Sequence, residues 1–428
     1  MNYIDIKKNV KILVEKYMEL KIKFNKYIDN PDFTTKETLV CSDLYSEIIL
    51  LINDFKDCND GELYTLWKRI YMKYFNPIII IGGGVAGLTI ASGLINGSNF
   101  IILEARDRVG GRVFTNNNMD MGAAWIHGSE NNPLNKFLDY NNLIHVADSN
   151  PWMHSESTKI KYLCDKNNIS EEQRQILASK WNEIIKNIPS YTPLSQLNID
   201  NDLYSFLYLV EVWCGCNINN ITPSFLTSEM FGDYEGPHYI FKNGAKTLIE
   251  SIMNSANESY HDKIKYNQIV TDIIYNDYYV EVHTTDGNIY YCNKLCITVP
   301  SKPLQNIRFN PPLDDKRLDI LSKIKMGSYK KIQLEFSKDN IFWQNDVPMI
   351  LTYINNNNNN TKLIPYNTEL IPYILWNNYL FLKNKPILEA ICPADIGFKL
   401  AGKSDEEIVD ILMSNLRIYY PNAPDPKA

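Results

Sequence analysis

The spacing of apolar residues divides the chain into helical and strand-forming stretches. Ile6, Val10, Leu13, Tyr17, Leu20, Phe24 and Tyr27 recur at alternating steps of four and three, the seam of a coiled-coil-like helix. Thr34 and Glu37 form a capping-box pattern before a second apolar stretch, Leu39 to Phe55, and a third helix is expected from about Glu62 to Met72. Residues 1 to 76 therefore read as an N-terminal helical region. Ile78 to Ile81 is a short continuous apolar run, Leu88 to Leu94 returns to helical periodicity, and Phe100 to Leu103 is a second strand-like run. Residues 131 to 230 look mostly helical, with a clear helix from about Glu171 to Ile188. Residues 238 to 300 switch to strand patterns: Val280 to Thr284, the turn Asp286-Gly287, then Tyr290 and the run Leu295 to Val299. Residues 305 to 355 continue with mixed structure, Asn355 to Asn360 is a homopolymer run that fits a surface-loop insertion, and Asp405 to Ile418 is an amphipathic helix. Strands alternating with helices predict the α/β class.

Composition narrows the reading. The chain has 428 residues, of which 45% are apolar, so it can bury a substantial core. Forty-three basic residues against 50 acidic ones give a net charge of −7. That argues against a dedicated nucleic-acid binder, which needs clustered Lys and Arg for phosphates. The eight cysteines are scattered, without the paired C-x-x-C spacing of a zinc site, and Cys214 and Cys216 stand too close for a knuckle. No metal is expected. The N-terminus lacks a signal-peptide plan, which with reduced thiols points to an intracellular, cytoplasmic protein. Residues 77 to 103 carry no charge, yet their glycines and the polar run Asn96 to Asn99 fit strand, turn, helix and strand better than a membrane span.

The chemistry begins at Gly82-Gly83-Gly84-Val85-Ala86-Gly87, a G-x-G-x-x-G sequence with a strand before it and a helix after it. Gly82 permits the tight turn, Gly84 lets backbone approach a pyrophosphate, and Gly87 lets the helix pack against the sheet. The helix N-terminus offers N–H groups and the positive end of its dipole to the phosphates. Glu104 ends the second strand 22 residues after Gly82, where a carboxylate can accept both ribose hydroxyls of an adenosine and repel a 2′-phosphate. The following Ala105-Arg106-Asp107-Arg108-Val109-Gly110-Gly111-Arg112-Val113 suits a longer ligand. Backbone N–H groups at Gly110 and Gly111 and the charge of Arg112 can reach a ribityl and flavin end, which favours FAD over NAD.

The run Leu103 to Arg112 closely resembles the motif of the flavin-containing amine oxidases. Asp120-Met121-Gly122-Ala123-Ala124-Trp125-Ile126-His127-Gly128, with Asn132-Pro133 after it, is most similar to the polyamine oxidase branch. Asn243-Gly244-Ala245 to Leu248 resembles the glycine turn opening the second flavin-binding segment, and Val270 falls where the family contacts the adenine by backbone. Thr298-Val299-Pro300 resembles the strand end leading into the substrate domain, and Met326 to Phe336, then Phe342-Trp343, the active-site lysine segment. The resemblance covers about residues 77 to 426.

It implies a Rossmann-like FAD-binding domain from residues 77–130 and 236–300, and a discontinuous α+β substrate domain from 131–235 and 301–428. It implies cofactor contacts at Gly82, Gly84, Ala86, Gly87, Glu104, Arg106, Gly110, Gly111, Arg112, Gly122, Ala123, Ala124, Trp125 and Val270. Lys331 aligns with the lysine that holds a water near flavin N5. Strand alternation disagrees: Lys331, Gln333 and Glu335 share one face, and it is the other face, with Ile332 and Leu334, that alternation turns inward. His127 matches a histidine lining the amine channel; a satisfied core histidine is the competing reading. Glu229, Asp233 and Glu235 form an acidic cluster that suits a channel mouth for a polycation or a solvated loop. The family's closing C-terminal segment, with its glycine-alanine-x-x-serine-glycine helix start, is not found in this chain.

The expected function is FAD-dependent oxidation of a polyamine-like secondary amine by hydride transfer to flavin N5, with O₂ as co-substrate and imine, aldehyde and hydrogen peroxide as products. Small-molecule amine and O₂ are the expected partners, with no nucleic acid and no membrane, while the N-terminal helices could mediate self-association or docking. Two alternatives stay open: a degenerate flavoprotein fold serving as a binding or scaffold protein, and an FAD oxidoreductase acting on a non-amine.

Overall fold

The computed structural model describes residues 78–94, 99–148, 160–164, 170–189, 191–197, 203–226, 234–255, 261–276, 279–354 and 371–427. The helices expected in residues 1 to 76, the asparagine run, and Glu229 and Asp233 lie outside them. The architecture is mixed α/β, and the described residues divide into two compact units, those within Met1–Val109 and Ala256–Ser322, and those within Gly110–Ser255 and Lys323–Ala428. Gly110 to Asp120, Met121 to Glu130 and residues 236 to 255 pack with the second of these.

In the first unit, four parallel strands lie in the order Leu295–Ile297, Ile78–Ile81, Phe100–Leu103, Ile264–Lys265. Helix Val85–Leu94 is the crossover that parallel neighbours require. Ile79 and Ile80 are fully buried, so both faces of the strand are covered, and this is why the sequence runs apolar without alternation. A second sheet carries Ile289–Cys292, Val280–Thr284 and Val270–Tyr275 as an antiparallel meander, with Arg308–Asn310 parallel at its edge. Ile79, Ile81 and Leu103 share a core with Ile273, Val282 and Cys292, joining the two sheets.

The second unit is built on a five-stranded sheet: Tyr329–Glu335, Ile387–Pro393, Tyr373–Asn378, Met349–Tyr353, Ile160–Cys164. All neighbours are antiparallel except the last pair. Ile408, Leu412, Met413 and Leu416 of helix Asp405–Tyr419 pack into its core. Helix Tyr204–Cys214 is apolar on nearly every side because it is shared by two cores: Tyr208, Leu209 and Val212 join the sheet, while Phe206, Leu207 and Val210 meet helix Glu171–Asn187. The latter and Asp405–Tyr419 both open with capping boxes, Ser170 with Gln173 and Ser404 with Glu407.

The stretch from 131 to 230 is mostly helical among its described residues, as expected, but it also holds two strands that the sequence did not announce, Leu143–Ala147 and Ile160–Cys164. Their partners are His238–Phe241 and Met349–Tyr353, far along the chain, so no local pattern announces them. Among the described residues, no helix is long and apolar enough to cross a membrane.

Candidate functional site

In the first unit the chain leaves strand Ile78–Ile81 through Gly82, whose φ of +106° no ordinary side chain adopts easily. Gly82 N–H donates to the Leu103 carbonyl (2.9 Å), and the Thr298 hydroxyl donates to the carbonyls of Ile81 (2.9 Å) and Gly82 (3.1 Å). A Cβ on Gly87 would overlap the Gly82 carbonyl oxygen, so only glycine lets the helix start this close to the turn. The first bond of the helix is Leu88 N–H to Gly84 O (2.9 Å). The N–H groups of Val85, Ala86 and Gly87 have no acceptor within the helix and face out of its end.

Glu104 is buried against this turn, 7% exposed. Its Oε2 accepts the Gly83 N–H at 2.7 Å and its Oε1 accepts the Arg106 N–H at 2.9 Å. Each oxygen keeps a lone pair beyond these bonds, enough to accept ribose hydroxyls. The residues present therefore fit an adenosine diphosphate moiety: anion-seeking N–H groups at the turn and an acceptor-only carboxylate beside them. Arg106 is held at its backbone, with Asn267 N–H donating to its carbonyl (3.0 Å), and Val270 opens strand Val270–Tyr275.

In the second unit, Gly110 and Gly111 have φ of +98° and +59°. A Cβ on Gly110 would come within 2.6 Å of the Val113 carbonyl oxygen. Arg112 and Phe114 pair by backbone with the next sequence block: Ala123 N–H to Arg112 O (3.1 Å) and Gly122 N–H to Phe114 O (3.2 Å). A Cβ on Gly122 would overlap Arg112 O. The structure thus brings Gly110, Gly111 and Arg112 beside Gly122, Ala123 and Ala124. Asp120, fully buried, accepts the Thr115 hydroxyl (2.6 Å) and Ala245 N–H (2.7 Å), which docks the glycine turn Asn243-Gly244-Ala245.

Trp125 and Ile126 pair with strand His238–Phe241. The His127 ring stacks on Trp125 (5.8 Å, 12°), tilts against Trp213 (6.0 Å) and meets His238 edge-on (5.8 Å). Burial, then the neighbouring His238, pushes the His127 pKa down to about 4, so the imidazole is neutral at physiological pH.

Lys331 corrects the alternation argument. Its side chain is only 8% exposed, and its ammonium donates to the carbonyls of Asp120 (2.9 Å) and Gly122 (3.1 Å) and pairs with Glu389 at 3.2 Å. Alternation presumes one wet face. In this strand Leu334 is buried and Ile332 packs on the core, while the opposite face carries a buried polar cluster. Lys330, facing away, donates to the Leu400 carbonyl (3.0 Å). The three ammonium hydrogens of Lys331 thus have three protein acceptors.

The cluster adds residues that sequence reasoning missed. Glu389, 0% exposed, accepts from Gln333 (2.7 Å) and Asn377 (2.9 Å) as well as pairing with Lys331. Lys383 approaches Asp120 at 4.0 Å, and burial lowers its pKa against the pull of that carboxylate. Burial raises the pKa of Tyr379, with the negative charges of Glu389 and Asp120 adding to it. One signal was available: Glu389 is the lone charged residue in the apolar run Ile387–Pro393, and a buried acid needs partners. His238 and Trp213 carried no such signal.

The family model described as flavin containing amine oxidoreductase matches residues 85–211 and 203–428. The chain is 28% identical over 316 residues to lysine-specific histone demethylase 2 of Homo sapiens, covering 67% of this chain but 37% of that protein. It is 27% identical over 386 residues to polyamine oxidase 5 of Oryza sativa subsp. japonica, covering 82% of this chain and 73% of that protein. Polyamine oxidase 4 of the same plant is 26% identical over 382 residues, covering 82% and 74%.

Proposed function

Because the chain belongs to the family of flavin-containing amine oxidoreductases, we propose that it binds FAD and oxidises a polyamine-like secondary amine, passing the electrons to O₂ to give hydrogen peroxide. The observation that carries this reading is the buried Glu104 carboxylate bonded to Gly83 N–H at the mouth of the strand–glycine–helix turn. In this reading residues 77–130 and 236–300 are a Rossmann-like FAD-binding domain, and 131–235 with 301–428 the substrate domain. Gly82, Gly84, Ala86 and Gly87 serve the pyrophosphate, Glu104 the ribose, and Val270 the adenine. Arg106, Gly110, Gly111, Arg112, Gly122, Ala123, Ala124 and Trp125 serve the ribityl and flavin end.

When bound, the flavin supplies the two-electron acceptor for the C–H bond beside the amine nitrogen. This chain's own residues bind and orient. His127, neutral because it is buried near His238, can accept a hydrogen bond from an amine or donate one without adding positive charge to repel a polycation. Trp125 and Trp213 flank it with aromatic faces, which attract alkyl chains and ammonium groups. Lys331 holds the Asp120–Gly122 backbone through its ammonium, and the water-holding role drawn from the resemblance requires it to release one of those three acceptors.

A second reading, oxidation of an N-methylated lysine, is favoured by the similarity to a lysine-specific histone demethylase. Incubating the FAD-loaded chain in air with spermine, acetylspermine and a methyl-lysine peptide separates the two. Peroxide with an aminoaldehyde supports the polyamine reading, and peroxide with formaldehyde from the peptide supports the other. A protein that holds FAD yet is inert to every amine points to a non-amine substrate, and one that takes up no FAD to a binding or scaffold role.

A further inference from the structure

We infer that Glu389 is a positioning residue: by fixing Lys331 as a three-point clamp, it sets the course of the backbone from Asp120 to Trp125. The functional half of this inference rests on the flavin reading above, since Gly122, Ala123, Ala124 and Trp125 belong to the proposed cofactor site.

Strand Ile387–Pro393 is buried along its whole length between Tyr329–Glu335 and Tyr373–Asn378, and Glu389 is its one charged residue. A carboxylate there, without donors, would be strongly unfavourable, so a buried acid at this place needs partners. Donors come from both flanking strands. Gln333 and Asn377 are its direct cross-strand neighbours and bond to Oε2 and Oε1 respectively, at 2.7 and 2.9 Å. Lys331, paired in register with Ile391, reaches Oε1 diagonally at 3.2 Å. The carboxylate is thereby held on two sides and cannot turn without losing a bond.

The ammonium it faces is held in turn. With one direction fixed by Glu389, the other two N–H groups point at the carbonyls of Asp120 and Gly122. These carbonyls bracket the turn after the hairpin Thr115–Asn116/Met119–Asp120. The next residue, Ala123, donates its N–H to Arg112, so the clamp extends to the Gly110–Arg112 loop. A long, flexible lysine would sample many rotamers if the carbonyls alone held it. A charge-assisted partner of fixed direction selects one.

A buried pair is weak evidence for stability as such, so the test reads position. In the full-length chain, amide exchange of Met121 to Trp125 should rise about tenfold or more in Glu389→Gln, and equally in Lys331→Met, while Met349–Tyr353 stays protected. The double variant K331M/E389L should exchange no faster than K331M alone, because the second change removes a clamp already broken. With FAD loaded, E389Q should lower the anaerobic reduction rate at saturating amine about tenfold or more and leave the amine KM within about twofold. Unchanged exchange at Met121 to Trp125 in E389Q overturns the inference, as does a rise spread evenly over the five-stranded sheet. If E389Q does not fold, K331M/E389L, which leaves no unpaired buried charge, carries the exchange comparison against K331M; faster exchange in the double variant refutes the clamp. If the chain takes up no FAD, the flavin reading fails while the exchange data still decide the clamp.

Discussion

Acidification should destabilise this chain through His127, whose folded site disfavours the charged imidazole. The ring lies against Trp125, Trp213 and His238, and burial followed by the charge of His238 lowers its pKa from 6.5 to about 4. The native state thus refuses a proton that the unfolded chain takes up. Above pH 6.5 both states are neutral at this position and it contributes no pH dependence. As pH falls from 6.5 towards 4, only the unfolded state gains the proton, so stability is lost progressively and the loss levels off below about pH 4. The full depression corresponds to about 3 kcal/mol, of which about 2 kcal/mol is expressed between roughly pH 7.5 and pH 5. Urea unfolding at those two pH values should show the effect as a fall in midpoint of roughly 0.7 M, for an m of about 3 kcal/mol/M. Other groups also contribute to the pH dependence, so the comparison is with His127→Asn, in which the fall should be smaller by most of that amount. A histidine Cε1–H resonance missing in the variant and titrating near pH 4 would support the assignment directly. Equal losses of stability in variant and parent, or a resonance that titrates near 6.5, would refute this assignment of His127.

Other consequences follow from the glycine turn and the thiols. Gly87→Ala places a methyl group on the Gly82 carbonyl and should cost about 1–3 kcal/mol in thermal or urea unfolding. Gly93→Ala in the same helix meets nothing within 4 Å and should stabilise by about 0.5–1 kcal/mol. Glu104→Gln removes the charged acceptor for Gly83 and turns an amide donor toward an N–H group. Unfolding should show a loss of about 1.5–3 kcal/mol per bond forfeited, and FAD retention on gel filtration should fall. The hydrogen bond between Cys214 and Cys216 lowers the pKa of Cys216 and raises that of Cys214, so limited iodoacetamide should label Cys216 before Cys214, as read by peptide mass.

Much of the first unit was legible because its signals are local. The strand, glycines, helix and acid from Ile78 to Glu104 form one continuous stretch, and the predicted spacing brings Glu104 to Gly83. Helices Glu171–Asn187 and Asp405–Tyr419 were legible through apolar periodicity, and each opens with a capping box. Strands Leu143–Ala147 and Ile160–Cys164 were hidden, since their identity comes from partners about a hundred or more residues away. Lys331 exposed a deeper limit. Alternation assigns faces only when one face is wet, and in the second unit's sheet the polar face is buried and neutralised by its own charges. The partners that decide this, Glu389 and the Asp120 carbonyl, enter from distant segments. His127 could be noticed in the sequence, but its neutrality depends on His238 and on packing by Trp125 and Trp213.

The most direct test of the central claim is an anaerobic spectral titration. The purified chain is incubated with FAD, freed of excess, sealed from air and given spermine. The expected result is a stoichiometric flavin spectrum before the amine and bleaching of its oxidised band after it, with the colour returning when air is admitted. A chain that emerges colourless, or one that keeps its full oxidised band in the presence of every amine offered, contradicts it.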